Sequence, residues 1–174
     1  MADVVMRPGG DDDLRRCADL WMRAKAHRDA KEPEARDRDS AMTAMSVPPI
    51  VFRVVVGAEH PDEPLGFAFV TDRTGPAGGG ARKAFVEFIA VGSGAQGRGI
   101  GASLFAGVMD ELRRLRYDVG KLHVRIDNAR ARGLYERYGW RWTGEEHHED
   151  GQSLPDLVYA VDLTAADVAS AAAG

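Results

Sequence analysis

The alternation of apolar and polar positions predicts a regular series of strands and helices, and its clearest part lies near the middle of the chain. An apolar run over 85–91 predicts a strand, and the glycine-rich residues 92–99 that follow predict a turn. Beyond the turn, apolar residues recur mostly at every fourth position and so line one face of a helix. They are Ile100, Leu104, Val108, Leu112 and Leu115. This strand, turn and helix form the centre of the predicted fold.

The other predicted elements lie on both sides of this centre. Residues 4–7 predict a first strand, and 11–26 predict a helix whose N-cap and first-turn negative charge come from the aspartates at 11–13. One or two short helices are predicted within 27–46. Further along the chain we predict strands over 50–56, 65–71, 121–125, 140–147 and 157–163, a turn over 59–64, and a helix that Asn128 opens and Gly139 ends. This order predicts an α/β (α+β) fold with a mixed, mostly antiparallel sheet of about seven strands and helices on both faces.

Composition favours one soluble domain over 1–164, with a frayed or disordered tail over 165–174. The chain has 174 residues, of which 44% are apolar and 29% are charged. Its N-terminus has no basic region followed by a long apolar run, and no window resembles a membrane span, so we expect a cytoplasmic protein with no membrane partner. The single cysteine, Cys17, falls on the apolar face of the first helix and is predicted to be a core thiol.

The distribution of charge says more about ligands than the net charge of −4, which argues against nonspecific nucleic-acid binding. Residues 82–137 hold eleven Lys and Arg against six Asp and Glu, whereas residues 143–174 hold seven acids and no Lys or Arg. The basic middle suits an anionic cofactor. The acidic run within 145–150 suits either a cationic acceptor or a solvated hairpin tip.

The glycine-rich turn before the central helix has the character of a phosphate site. A helix that begins among glycines has free N–H groups and the positive end of its dipole at the N-terminus. Gly97, Gly99 and Gly101 would let a pyrophosphate lie against the main chain, because no side chain stands in the way.

Two motifs in this region resemble those of a known family. The segment 96–101, Gln-Gly-Arg-Gly-Ile-Gly, resembles the Gln/Arg-x-x-Gly-x-Gly/Ala pyrophosphate loop of the GNAT superfamily of N-acetyltransferases. The segment 128–140 resembles that family's Asn-x-x-Ala-x-x-Leu-Tyr-x-x-x-Gly-Phe motif, with Trp140 in place of the usual Phe. The resemblance is closest over about 85–142, and it implies the acyl-CoA N-acyltransferase fold.

The resemblance implies an enzyme that transfers the acetyl group of acetyl-CoA directly to a primary amine of a small molecule or peptide. It also implies a set of cofactor-binding residues, with main-chain N–H groups at the end of the strand polarising the thioester carbonyl. These residues are Ile89, Ala90, Val91, Gln96, Gly97, Arg98, Gly99, Ile100, Gly101, Ala102 and Asn128. Asn128 is also predicted to cap its helix. Members of the family often dimerise, so a homodimer is a further possibility.

Two residues are candidates for proton transfer. Tyr135 matches the family tyrosine that usually acts as general acid toward the departing thiolate, although composition alone would make it a core tyrosine. Glu87 is the one acid in an apolar strand, and it would be a base acting through water, or else the partner of Arg125 or another strand residue in a salt bridge. His123, His147 and His148 are weaker candidates for the base, and no spacing among them suggests a metal site.

Two other functions stay open at this point. The chain could bind CoA as a regulatory module without turnover. Residues 92–97 also match Gly-x-Gly-x-x-Gly, the dinucleotide fingerprint, which requires an acid at the end of the next strand, about 20 residues further on. Asp118 has that spacing but precedes the predicted strand, and Asp127 ends the strand but comes late. The sequence does not identify the acceptor.

Overall fold

The computed structural model describes residues 3–75, 80–148 and 152–165. The predictions for the tip near 150 and for the tail beyond 165 lie outside these residues. The elements in chain order are β1 (Val4–Pro8), α1 (Asp11–Asp29), α2 (Ala35–Ala44), β2 (Pro49–Gly57), β3 (His60–Asp72), β4 (Lys83–Val91), α3 (Ile100–Arg114), β5 (Val119–Arg125), α4 (Ala129–Arg137), β6 (Arg141–His147) and β7 (Asp156–Asp162). A short 3₁₀ turn, Ser93–Ala95, lies between β4 and α3.

Within the described residues, seven strands form one sheet in the order β1-β2-β3-β4-β5-β7-β6. The pairs β1–β2, β2–β3, β5–β7 and β6–β7 are antiparallel, and β4–β5 is parallel. The predicted mixed, mostly antiparallel sheet with helices between its strands is therefore confirmed.

Both predicted boundaries of α1 are wrong. The N-cap of α1 is Gly10, not an aspartate. Asp13 instead reaches back, and its carboxylate accepts a hydrogen bond of 2.9 Å from the Gly10 N–H. The helix also runs to Asp29, three residues past the predicted end. Neither difference changes the face that the helix buries.

The predicted turn over 59–64 is largely strand. β3 begins at His60, so only Ala58 and Glu59 separate it from β2. Prolines at 61 and 64 suggested a turn because proline cannot donate to a strand ladder. The β2–β3 register shifts between Val55 and Gly57, and this irregularity lets the sheet accept both prolines.

The chain divides into two compact units. The first comprises residues up to 71 together with 87–110, and its apolar core joins α1 and α2 to strands of the sheet. Trp21 packs edge-on against Phe88, with ring centroids 5.0 Å apart. Cys17 is fully buried in this core, and burial raises the pKa of its thiol to about 12. The prediction of a core thiol is confirmed.

The second unit comprises residues 72–86 and those from 111 onward, and Trp140 is fully buried in it. The indole packs on the backbone of Gly120 so closely that a Cβ there would lie 2.8 Å from Trp140 Cη2. Tyr159, also buried, donates a hydrogen bond from its hydroxyl to Glu136 at 2.8 Å. These contacts anchor the start of β6 and the end of α4.

An ion pair in the first unit gives a prediction about stability. Asp13 is buried and accepts two hydrogen bonds from the Arg7 guanidinium, at 2.8 and 2.9 Å, which hold the pKa of its carboxyl below the usual value. An Asp13→Asn variant should lower the free energy of unfolding at neutral pH by about 1.5–3 kcal/mol. Because the folded-state pKa is depressed, this contribution is present above the unfolded pKa and disappears as pH falls through the folded value.

Urea titrations of both proteins between pH 7 and pH 3 test this expectation. The difference between the two unfolding free energies should shrink toward the acidic end. A difference that stays constant over the whole range would show that Asp13 contributes by packing and not by its charge.

Candidate active site

β4 presents alternating side chains to two environments. Ala84, Val86, Phe88 and Ala90 are buried, whereas the residues between them are half-buried. Glu87 belongs to the half-buried set, and its carboxylate accepts a hydrogen bond of 2.6 Å from the hydroxyl of Thr71, which is fully buried at the end of β3. Glu87 is therefore held in a defined orientation on this strand.

The turn after β4 exposes a row of residues with an unusual backbone. Residues 96–99 are exposed, and within them Gly97 has φ of 79° and Gly99 has φ of 76°. Both values lie in the left-handed region, where glycine is favoured because it has no Cβ. A Cβ placed on either glycine would meet nothing within 4 Å. The conformation therefore requires these glycines, while the space beside them is open.

Packing fixes the start of α3 directly after this turn. Ile100 is buried and Gly66 of β3 lies under it, so a Cβ at Gly66 would be 3.0 Å from both Ile100 Cγ2 and the Ala90 carbonyl oxygen. Gly101 differs from the other glycines of the motif. Its φ is not positive, and a Cβ there would make an ordinary contact of 3.6 Å with Val91.

The turn suits a pyrophosphate group on its own geometry. A fifteen-residue helix begins at Ile100, and the first N–H groups of any helix have no partner inside it. The exposed glycines 97 and 99 leave the approach to these groups unobstructed, and Arg98 between them is exposed and carries a positive charge. Anion binding at a helix N-terminus needs these features together.

The backbone at the end of β4 extends beyond its pairs with β5. The parallel ladder joins Lys83–Val86 of β4 to Val119–Leu122 of β5, and β4 continues past the last pair to Val91. Ile89 and Val91 have half-buried side chains, and Ala90 is buried. Main-chain groups in such a segment are suited to pair with an extended ligand.

Asn128 has the capping role predicted for it. It is the N-cap of α4, and its side-chain oxygen accepts a hydrogen bond of 3.2 Å from the Ala131 N–H. At the other end of the helix, Gly139 has φ of 85°, as expected of a residue that ends a helix in the left-handed region. Asn128 therefore stabilises the start of the helix that carries Tyr135.

Tyr135 is buried in the last turns of α4. Its ring lies 6.5 Å from the Trp140 ring, and its carbonyl accepts hydrogen bonds from the N–H groups of Tyr138 and Trp140. Burial raises the pKa of the phenol to about 12. The hydroxyl therefore keeps its proton at neutral pH, which a proton donor requires.

The three histidines considered as alternative bases have different neighbours. His123 stacks on His147 with centroids 4.5 Å apart, and Phe85 packs edge-on against His123 at 4.9 Å. His148 lies 3.6 Å from a carboxylate oxygen of Glu146. The proposed partner of Glu87, Arg125, makes a two-point pair with Asp127 at 2.7 and 2.8 Å.

Three further observations concern acidic residues, metal ions and membrane spans. Glu145 and Glu146 are exposed on β6, whereas the acids at 149 and 150 lie outside the described residues. Among residues 3–75, 80–148 and 152–165, no group of three or more His, Cys, Asp or Glu is arranged to hold a metal ion. Nor does any helix in these ranges have the length and apolar character of a membrane span.

The predicted site residues fall into both units. Glu87, the end of β4 and the turn with the start of α3 belong to the first unit, and Asn128 and Tyr135 belong to the second. Sequence reasoning missed Thr71, which orients Glu87, and Gly66, whose lack of a side chain lets Ile100 of α3 pack directly on β3. Thr71 stands at the end of a predicted apolar strand, but nothing in the sequence indicated its partner.

The chain is similar to known acetyltransferases. A model of the Acetyltransferase (GNAT) family matches residues 14–140. Over 55 residues the chain is 46% identical to mycothiol acetyltransferase of Beutenbergia cavernae, a segment that is 32% of this chain and only 18% of that protein.

Solved structures share the fold over nearly the whole chain. The ribosomal-protein-S18-alanine N-acetyltransferase of Escherichia coli superposes with a TM-score of 0.71 at 19% identity, covering 96% of this chain and 98% of that one. Arabidopsis thaliana NAA60 in complex with acetyl-CoA gives 0.65 at 19% identity, covering 92% and 99%.

Proposed function

This chain belongs to the acetyltransferase (GNAT) family, and we propose that it transfers the acetyl group of acetyl-CoA to a primary amine of a small molecule or peptide. The observation that supports this most is the exposed turn with two left-handed glycines, Gly97 and Gly99, placed directly before α3. It provides the pyrophosphate of the cofactor with main-chain donors and no obstructing side chain.

The proposed binding mode divides the cofactor between two parts of the first unit. Residues 96–102 hold the pyrophosphate, and the backbone of Ile89, Ala90 and Val91 pairs with the pantetheine arm as an added strand would. Main-chain N–H groups at this end of β4 also donate to the thioester carbonyl, where negative charge grows during attack by the amine. Asn128 adds a side-chain contact while it caps α4.

Tyr135 is the proposed general acid. An acyl thioester is already activated, so the enzyme needs to position both substrates and supply a proton to the departing thiolate. The raised pKa of the phenol, about 12, keeps the hydroxyl protonated at every physiological pH. The hydroxyl would donate a hydrogen bond to the sulfur as the carbon–sulfur bond breaks, and its proton would then pass to the departing thiolate.

Glu87 is the proposed base, removing a proton from the amine through a water molecule. Thr71 is a positioning residue, because its hydroxyl donates a hydrogen bond of 2.6 Å to one carboxylate oxygen of Glu87. His123 and His147, whose rings stack on each other, are the alternative if Glu87 proves to be structural.

The role of Glu87 gives a prediction about pH. Glu87→Gln should lower turnover on the order of a hundredfold at neutral pH, the lower end of general-base effects. The loss should shrink as pH rises, because the amine then loses its proton without help. Steady-state kinetics from pH 6 to pH 10 measure both quantities.

Thr71→Val is the matched variant, since it removes only the donor to Glu87 and keeps the volume of the side chain. It should reduce turnover less than Glu87→Gln and leave the shape of the pH profile unchanged. If the Glu87→Gln deficit is the same fraction at every pH, Glu87 binds the acceptor or stabilises the fold, and His123→Phe becomes the next variant to measure.

A ligand screen tests the proposed function as a whole. Melting temperatures are measured with acetyl-CoA, CoA, NAD and NADP, and a ligand present at a hundred times its Kd should stabilise the protein by about 2.7 kcal/mol. Stabilisation by the CoA compounds alone is expected. Stabilisation by NAD or NADP would favour the dinucleotide interpretation of residues 92–97.

A second assay measures the release of free CoA from acetyl-CoA in the presence of a panel of amines. It distinguishes an acetyltransferase from a module that binds CoA without turnover. The panel includes small primary amines and peptides with a free N-terminal alanine, because one structural neighbour is a ribosomal-protein-S18-alanine N-acetyltransferase. Acetyl-CoA binding without CoA release for any amine would support a non-catalytic regulatory role.

A further inference from the structure

The first strand of the sheet carries an apolar surface that residues 3–75, 80–148 and 152–165 leave exposed. Val4 is 43% exposed, Val5 47% and Met6 38%, and these three are half of the large exposed apolar side chains in the described chain. They are consecutive in β1, which is one end of the strand order. An apolar edge strand is normally protected in a protein that stays monomeric.

Alternate residues of β1 direct their backbone N–H and C=O groups toward β2 and away from it. The Ala58 N–H donates to the Asp3 carbonyl at 2.9 Å, and the Gly9 N–H donates to the Phe52 carbonyl at 3.0 Å. The odd-numbered residues of β1 therefore direct their backbone N–H and C=O groups toward β2. In an antiparallel ladder, bonding alternates along each strand. Val4 and Met6 therefore direct their N–H and C=O groups away from β2.

We propose that this edge of β1 pairs antiparallel with β1 of a second copy of the chain, with Val5 on the two-fold axis. In this register Val4 exchanges backbone hydrogen bonds with Met6 of the other copy, and Met6 with Val4. The two sheets then become one continuous sheet. The exposed apolar side chains of both copies cover each other across the pair.

The side chains at the ends of β1 favour this register. With Val5 opposite itself, Asp3 of each copy lies opposite Arg7 of the other, so opposite charges meet at both ends. The Arg7 side chain is about one-third exposed beside Asp13. A register centred on Val4 or on Met6 would place Asp3 or Arg7 opposite Val5 instead.

A contact of this kind is isologous, as most homodimer contacts are, because the same surface serves both copies. β1 is also held to α1 within the same chain, since Arg7 donates two hydrogen bonds to Asp13. Substitutions at the exposed side chains should therefore change association and leave the fold of the first unit intact.

Cysteine cross-linking tests the register. Two residues facing each other at a non-hydrogen-bonded antiparallel position have Cα atoms about 4.5 Å apart, which is within the range of a disulfide. Val5→Cys should form a covalent dimer under mild oxidation. Val4→Cys and Met6→Cys should each cross-link poorly alone and efficiently when mixed. The wild-type protein is the control, since its one cysteine, Cys17, is buried.

Charge substitution tests the interface itself. By light scattering at rising concentration, the wild-type protein should approach twice its chain mass of 18.9 kDa. Val5→Glu and Val5→Lys should each be monomeric, because like charges meet on the axis, and an equal mixture should recover the dimer. Val47→Glu and Val47→Lys alter another exposed valine, 39% exposed and outside β1, and should change nothing.

Three results would overturn the proposal. One is a wild-type protein that stays monomeric at every concentration. Another is a dimer that persists in Val5→Glu and Val5→Lys alone, which would place the interface elsewhere. The third is efficient self-cross-linking of Val4→Cys or Met6→Cys in place of Val5→Cys. Circular dichroism and melting temperatures show whether each variant is folded.

Discussion

A Gly99→Val variant is expected to bind CoA at least about 100-fold more weakly than the wild type, a loss of roughly 2.8 kcal/mol. Gly99 has φ of 76°, and a β-branched residue is a genuine outlier there. The valine either strains the turn or forces it into another conformation. In both cases the main-chain donors before α3 lose the arrangement proposed to hold the pyrophosphate. Titration calorimetry with CoA measures the change.

Two substitutions in the same segment serve as controls. Gly94→Val introduces the same side chain where φ is not positive and where a Cβ meets nothing within 4 Å. Gly101→Ala adds a methyl group that makes an ordinary contact with Val91, at a position where the family motif accepts either Gly or Ala. Both variants should bind CoA nearly as the wild type does. Unchanged affinity in a folded Gly99→Val protein would exclude this turn as the pyrophosphate site.

Tyr135→Phe is expected to lower the turnover number on the order of a hundredfold or more, with little change in affinity for acetyl-CoA. The substitution removes one oxygen and keeps the ring that packs near Trp140. An interaction made mainly with the departing thiolate contributes to kcat and not to ground-state binding. Steady-state kinetics and calorimetry on the same preparations separate the two effects.

The raised pKa of Tyr135 adds a second expectation. A proton donor works only while it is protonated, and burial places its pKa at about 12. Wild-type turnover should therefore show no loss from ionisation of this phenol up to pH 10. A lower apparent pKa in the presence of acetyl-CoA would mean that the bound cofactor changes the surroundings of the hydroxyl.

Tyr138→Phe is the matched control, because Tyr138 is a half-buried tyrosine that caps the same helix. It should retain normal turnover. If Tyr135→Phe also turns over normally, Tyr135 is a core residue and solvent protonates the thiolate. If it binds acetyl-CoA poorly, the hydroxyl positions the cofactor and the general acid is another group.

Local patterns in the sequence were enough to predict most elements and part of the candidate site. The fourfold spacing of apolar residues predicted α3, and Asn128 and Gly139 marked the ends of α4. Both ends depend on backbone groups within a few residues of the cap, so neighbouring sequence contains the information. The glycine-rich turn is local in the same way, since its φ values are properties of Gly97 and Gly99 themselves.

The errors arose where the pairing of one element with another decides the local structure. The prolines at 61 and 64 predicted a turn, but β2 supplies an irregular ladder that keeps them within β3. Asp13 was assigned to the cap of α1 with its neighbours, yet its main partner is Arg7 in the preceding strand. A single sequence records neither the register of a sheet nor the partner of an ion pair.

The sequence by itself determined the order of elements and the glycine-rich turn before α3, because helix periodicity, glycine conformations and caps are local. The resemblance to the family, and not any local pattern, made Tyr135 a candidate for proton transfer. Only the tertiary structure decided that Thr71 orients Glu87, that Ile100 packs directly on Gly66, and that burial raises the pKa of Tyr135. It also decided that the apolar residues of β1 stay exposed at the edge of the sheet. Each of these depends on residues far apart in the chain that meet only when the strands pair and the helices pack.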